Sequence, residues 1–430
     1  MTMRLPSALW HVLRERLVWL DQGESLAVKA SSSAQVKDVG SNVPADVPAR
    51  ERGNPQASLK QALRAYAMVA ALVVIWLAFD YATGGVFLRP RNFSNLMRQT
   101  AVTGILAVGM LMVIVAGEID LSVGSLVGLT GMIAALAQAN YHLGPAPTLL
   151  IACVVGILIG LVQGLTTAHA RVPSFIVTLG GLLAWRGVTK GASGGVTIPI
   201  GLDSFNSIGQ SYLDKGFGIV LAAVAVLVII VREWRSRAAR ARLGLPTISV
   251  MKTIVRAVGL SVVLIAVVAA VNSYQGIPIP VLVFVLIALL GAFVMSNTTF
   301  GRYLYAIGGN REAARLSGIN TRLWTVGVFG SMGLLAALAG IIYTARVGSA
   351  SPDAGLLLEL DAIAACVIGG ASLMGGRGAI FGACIGALLM ASLDNGMSLK
   401  NVADYIQDIV KGGILVIAVA LDMLGRKRTT

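Results

Sequence analysis

The sequence predicts an all-α, polytopic integral membrane protein with about ten to twelve transmembrane helices, some broken or re-entrant. Three observations predict it. Of the 430 residues, 56% are hydrophobic and only 13% are charged, about half the roughly 25% charge that covers a soluble domain. The charges collect between long apolar runs. Glycine, at 50 residues, is abundant, and in lipid it lets helix backbones approach closely or lines irregular cavity-facing segments.

The elements follow in order. Residues 1–59 read as a cytoplasmic, largely disordered extension. Trp10, Leu13, Leu17 and Leu20 recur at helical spacing, broken by Arg14, Glu15 and Arg16. That fits either a short interfacial helix or a chance amphipathic stretch, and the charged trio excludes a signal-peptide core. The transmembrane domain is placed at 60–425. Residues 65–79 and 99–117 carry no charge, and 121–170 is 50 residues without Asp, Glu, Lys or Arg. Turn formers at 140–147 divide that run into two spans. Further spans are read at 175–185, 216–231, two within 257–301, and 323–345. Glycine-rich 362–376 and 378–393 are short enough to be re-entrant. The last run, 405–424, contains Asp408 and Lys411, which, three apart on one helix face, suit a mutual ion pair.

The net charge of +14 follows the bias of cytoplasmic loops rather than a nucleic-acid surface, so no nucleic-acid partner is expected. Residues 232–256 hold seven Lys/Arg against one Glu, 299–322 holds four Arg against one Glu, and the tail 426–430 is basic. Placing all three inside puts both termini in the cytoplasm. Arg89, Arg91 and Arg98 then lie on the outer side, against the bias. Cys153, Cys366 and Cys384 sit inside apolar runs without metal-ligand spacing, and read as small buried hydrophobes.

The polar stretch 299–321, TFGRYLYAIGGNREAARLSGINT, is the most informative. Gly308 and Gly309 break the preceding helix, Asn310 is placed to cap the next, and Gly318 to end it. Small Ala313 and Ala314 stand beside Arg311, Glu312 and Arg315. Such a helix suits docking into a groove on a soluble partner, and an ordinary cytoplasmic turn fits the same residues. Glu118 and Asp120 interrupt two apolar runs; Asp120, before Ser122, suits a helix cap or a gate. Residues 113–128 and 367–382 share Val113/Val367, Ile114/Ile368, Gly124/Gly378 and Gly128/Gly382 at one offset, a faint internal repeat.

GGNREAARLSGIN, AVGMLMVIVAGEIDLSVGSLVGLTG (107–131) and LDAIAACVIGGASLMGGRGAIFGACIGALLMASLDNGMS (360–398), in that order, resemble the permease subunits of ribose- and xylose-type carbohydrate ABC importers. The added apolar run around 232–280 is closer to the xylose type. The resemblance implies that Gly309, Asn310, Arg311, Glu312, Ala313, Ala314, Arg315, Ser317 and Gly318 couple to a separate ABC ATPase subunit. It also implies a periplasmic sugar-binding protein on the other face, a homodimer in the membrane, and a bacterial inner-membrane location. The chain has no G-x-x-x-x-G-K-[ST] loop, so no cofactor is expected here; ATP and Mg would bind the partner. Gate or pathway candidates are Glu118, Asp120, Ser122, Gly124, Asp361, Gly375, Gly376, Asp394 and Asn395, with Gln163 and Trp185 as further hydrogen-bonding candidates for a neutral sugar. Two other classes compete. An ion-coupled secondary transporter needs ionisable residues in mid-span, for which Glu118, Asp120 and Asp408 remain available. A membrane enzyme finds no support in His11, His142 and His169, none of which lies in a cluster.

Overall fold

A computed structural model describes residues 55–170, 172–244 and 249–426 of the chain. The amphipathic stretch 10–20, the rest of the predicted extension up to residue 54 and the tail from 427 lie outside the described residues. All sites discussed below belong to the unit Lys60–Thr430.

Fifteen helices are described: α1 Pro55–Ala82, α2 Pro90–Val115, α3 Val123–Tyr141, α4 Pro145–Ala170, α5 Ser174–Ser193, α6 Asp203–Gln210, α7 Lys215–Arg242, α8 Val250–Asn272, α9 Ile279–Asn297, α10 Thr299–Gly309, α11 Arg311–Leu316, α12 Thr321–Val347, α13 Leu358–Ile368, α14 Ile380–Leu399 and α15 Asp404–Arg426. Eight of them, α2, α3, α4, α7, α8, α9, α12 and α14, are long and apolar enough to cross a membrane. Helices α1, α5, α13 and α15 run with them, each too polar or too short in its apolar part to meet that measure. The span read at 175–185 extends as α5 through Arg186 and Lys190 to Ser193. Of the pair read as short and re-entrant, only α13 is short, at 11 residues; α14 has 20.

The core is built on α2, buried almost throughout, against α9, α12, α13 and α14, while α3 packs on α12 and on α4 and α5. Helix α4 lies on α12 with backbones nearly touching: a Cβ on Gly156 would meet the Gly333 carbonyl at 2.5 Å, and Gly333 and Gly160 have no more room. The spacing Gly156, Gly160, Gly164 puts these small residues on one stripe, which is how helices associate tightly where lipid offers no hydrophobic drive.

Two-residue ladders tie the connections at one end. Strand β1 (Ile198–Pro199) pairs antiparallel with β4 (Ser349–Ala350), and β2 (Tyr212–Leu213) with β3 (Ile277–Pro278). Arg98 reaches this end, where its guanidinium donates to the Tyr212 hydroxyl at 2.8 Å. At the opposite end lie the interrupted segments 116–122 and 369–379 and the short helix α11.

Candidate functional site

Helix α11 forms because Asn310 stops α10 and starts a new turn. Asn310 is extended, at φ −159° and ψ 101°, and its Oδ1 accepts from the Ala313 amide at 2.9 Å. Gly318, at φ +84°, ends the turn in the left-handed conformation that glycine adopts without steric cost. Ala314 is buried, while Glu312, Ala313, Arg315, Leu316 and Ser317 are exposed. The pairing of Ala313 with Ala314 as one small docking surface is therefore corrected: at about 100° per residue, Ala314 faces the bundle and Ala313 faces away. Leu316, 76% exposed, is the apolar residue presented outward. Arg315 donates to both Glu312 carboxylate oxygens, at 2.5 and 3.2 Å, which holds the Glu312 carboxyl below its usual range. The helix thus keeps both charges at neutral pH.

Arg311 turns the other way. Its guanidinium pairs with Glu118 at 2.5 Å and donates to the Thr325 hydroxyl at 3.1 Å. The Glu118 side chain is only 7% exposed and that of Arg311 47%. A buried carboxylate is costly without a partner, so Glu118 supplies the fixed end and Arg311 the end that motion of α11 would pull. Beside the pair lies a cavity of about 330 Å³ lined by Glu118, Thr167, Pro173, Ser174, Arg311 and Arg322, among others.

The same point is braced by glycine. The Gly376 amide donates to the Val115 carbonyl at 2.9 Å. A Cβ on Gly308 would meet Gly376 N at 2.6 Å and overlap the Val115 carbonyl outright. Gly375 and Gly376, at φ +84° and +70°, bring the second interrupted segment onto Gly117 and Gly308–Gly309. The two stretches of the faint repeat are therefore both helix–break–helix units, and they meet under the start of α11.

Within the first break, Asp120 does not cap α3. Its Oδ1 accepts from the Ser122 amide at 2.8 Å and from the Ser122 hydroxyl at 2.6 Å; Ser122 is the N-cap, and it makes no side-chain cap bond. The carboxylate is held by Ser122 instead of the first-turn amides of α3. Since the Ser122 hydroxyl has one proton to give, the arrangement is a chain: Gln163 Nε2 donates to Ser122 Oγ at 2.9 Å, and Ser122 donates to Asp120. Trp185 Nε1 and Gln163 Nε2 both crowd the Gly181 position, and Glu359 Oε2 fills the space at Gly124. Glu359 is 4% exposed, with Oε2 unpartnered. The structure thus gathers Asp120, Ser122, Gly124, Gln163 and Trp185 on one polar patch inside the helices.

It does not bring Asp361, Asp394 and Asn395 there. Lys411 of α15 bridges Asp394 at 2.7 Å and Asp361 at 3.4 Å. The pairing of Asp408 with Lys411 is corrected accordingly: Lys411 faces the buried carboxylate of Asp361 on α13 and the partly buried one of Asp394 on α14, which need a cation more than an exposed Asp408 does. Asn395, one residue past Asp394, faces α2 instead, accepting from Asn92 Nδ2 at 2.7 Å and donating to Gln99 at 3.3 Å.

Sequence reasoning missed Thr325 and Ser174, and saw Glu359 only as a charge near the membrane, without a place in the site. Ser174 was findable, because it follows Pro173 at a helix start, and its hydroxyl accepts from the Ile119 amide at 3.2 Å. Thr325 carries no local signal, and Glu359 shows only as a charge beside an apolar run; packing alone brings them to the site. Among the described residues, no group of three or more His, Cys, Asp or Glu is placed to hold a metal.

Comparison with known proteins bears on what this arrangement serves. The family model described as branched-chain amino acid transport system / permease component matches residues 92–419. The xylose transport system permease protein XylH of Escherichia coli (strain K12) is 46% identical over 369 residues, covering 85% of this chain and 93% of that protein. XylH of Haemophilus influenzae is also 46% identical, over 367 residues, covering 85% of this chain and 98% of its own. The ribose import permease protein RbsC of E. coli K12 is 36% identical over 355 residues, covering 83% of this chain and 92% of its own. No solved structure matches the chain. The matched region takes in both interrupted segments, α11 and its anchor Glu118, and with it the chain belongs to this family of multi-pass transport permease components.

Proposed function

We propose that this chain is the membrane-spanning permease of an ATP-binding-cassette importer that carries a monosaccharide, xylose before other pentoses, across the bacterial inner membrane. The observation that carries the reading is the short exposed helix α11, held to the membrane interior through the Arg311–Glu118 pair. The names of its relatives, permeases for xylose and ribose, support the substrate class. ATP hydrolysis belongs to a separate subunit, which would bind ATP and Mg and dock on Glu312, Ala313, Arg315, Leu316 and Ser317. On this reading α11 and both termini face the cytoplasm, and a periplasmic sugar-binding protein delivers to the end with the β ladders. Two copies of the chain complete the pathway.

The mechanism is alternating access. Closure of the ATPase subunits moves α11, and Arg311 transmits that motion to Glu118 and so to the 116–122 break. The glycine contacts at 308, 375 and 376 pass it to the second break, because backbones this close cannot shift independently. The patch of Asp120, Ser122, Gln163, Trp185 and Glu359 offers hydrogen-bond donors and acceptors and an aromatic face, the groups that recognise the hydroxyls and ring face of a neutral sugar.

A second reading, an ion-coupled transporter, is favoured by one feature, the Lys411–Asp361–Asp394 trio with its buried Asp361. Reconstitution separates the two. The chain with ATPase subunit and binding protein in vesicles should take up xylose only with ATP inside. Uptake by this chain alone, driven by a proton or sodium gradient, would overturn the importer reading.

A further inference from the structure

We propose that the basic end of the α7–α8 hairpin is a binding site for the anionic phospholipid headgroups of the leaflet it ends in. The proposal needs only that the hairpin crosses the membrane; it goes beyond the transport reading and does not rest on it.

The uncharged parts of the two helices, 216–231 and 257–272, match each other at about 24 Å each. The hydrocarbon core is about 30 Å thick, so Arg232 and Arg256, which bound these stretches, sit at its edge or a few ångström inside it, from where their long side chains reach out to the headgroup level. Glu233 pairs with Arg256 at 3.5 Å, tying the helices at that level. From Arg232 onward α7 continues to Arg242 and carries Arg232, Arg235, Arg237, Arg240 and Arg242. Among the described residues, Glu233 with Arg256 is the one ion pair in this basic stretch; the five arginines of α7 have no carboxylate partner there.

The surroundings favour lipid over protein. Both helices are scarcely covered by the rest of the chain, with 6% and 17% of their central apolar stretches buried, which leaves most of their apolar surface open to acyl chains. Trp234 is 57% exposed beside the arginines, with Leu243 and Met251 also outward, the mix of aromatic and basic groups that settles at the headgroup level. At about 100° per residue, the five arginines spread over about 220° of the helix circumference. Headgroups can approach such a girdle from several sides. A protein partner would meet one face, as α11 offers, with Ala314 turned in and Ala313 and Leu316 out.

The test uses the full chain in detergent, delipidated and titrated with phosphatidylglycerol or phosphatidylcholine, with bound lipid read by native mass spectrometry. A basic residue near an anionic leaflet strengthens binding about fivefold, so phosphatidylglycerol should bind at least tenfold tighter. That preference should weaken as salt rises. The variant R232Q/R235Q/R240Q/R242Q keeps the Glu233–Arg256 pair; it should lose the preference while binding phosphatidylcholine as before, which shows the hairpin intact. Equal affinity for the two lipids in the unmodified chain would overturn the proposal. So would a variant that keeps its lipid preference and instead loses an ATPase subunit in pull-downs, which would make this end a protein-docking surface.

Discussion

Arg311 and Glu118 are 193 positions apart in the chain and meet at 2.5 Å. Removing the arginine leaves a nearly buried carboxylate without its cation, a loss of about 1–2 kcal/mol once the half exposure of Arg311 is discounted. We expect Arg311→Gln to abolish coupled uptake while the ATPase still binds and hydrolyses ATP. Exchanging the pair, Glu118→Arg with Arg311→Glu, should recover part of the uptake. Uptake at the normal level in Arg311→Gln vesicles would end the transmission role. Asn310→Ala removes the cap that holds α11 and costs about 1 kcal/mol locally; it should weaken ATPase retention in co-purification without affecting insertion. At Gly308, even one methyl overlaps the Val115 carbonyl. Gly308→Ala should therefore destabilise the junction by about 1–3 kcal/mol, the usual cost of overpacking, seen as a lower melting temperature in detergent.

At the scale of elements, α15 packs on the bundle through Ile414, Leu415, Ala418 and Val419 and is tied to it electrostatically by Lys411. Among the described residues its ion pairs to the bundle are those of Lys411, whose cation serves two carboxylates, on α13 and on α14. Lys411→Met would strand both, at a cost of about 3–5 kcal/mol for a buried pair broken from one side. We expect that variant to lose thermal stability, and the triple change Lys411→Met, Asp361→Asn, Asp394→Asn to regain most of it. A triple variant that stays stable and transports normally would also remove the ion-coupling reading, since no titratable relay would be left there. A triple variant no more stable than Lys411→Met would show that the trio is not what seats α15. The elements also explain which sequence readings went astray. Asp408 and Lys411 share a face, but that face is decided by where α15 packs, and the carboxylates it meets lie 50 and 17 positions away in the chain. Ala313 and Ala314 are adjacent and equally small, so composition could not tell which one is covered.

For the whole molecule, the β ladders gather the connections at 198–213, 277–278 and 349–350 at one end, while α11 and both interrupted segments lie at the other. The orientation proposed above then makes a clear statement. In a chain whose Cys153, Cys366 and Cys384 are replaced by Ser, a cysteine at Gly144 should react with an impermeant thiol reagent added outside intact cells. One at Ser317 should react only after the membrane is opened. The reverse pattern would invert the proposed sidedness and place α11 away from any cytoplasmic ATPase.

The all-α membrane class, most of the spans, and the cap and stop of α11 were legible in the sequence. Each depends on local chemistry: apolar length against bilayer thickness, Asn310 at a helix start, Gly318 at its end. The two interrupted segments were also visible, as glycine and charge inside apolar runs. What only the tertiary structure decided is which of these meet. Glu118 with Arg311, Lys411 with Asp361 and Asp394, Gln163 with Ser122, and Gly308 with Gly376 are contacts between distant parts of the chain. No periodicity encodes them. Helical spacing says which residues share a face, but the direction that face takes is set by how close glycine lets neighbouring backbones come and by which buried charge must find a partner.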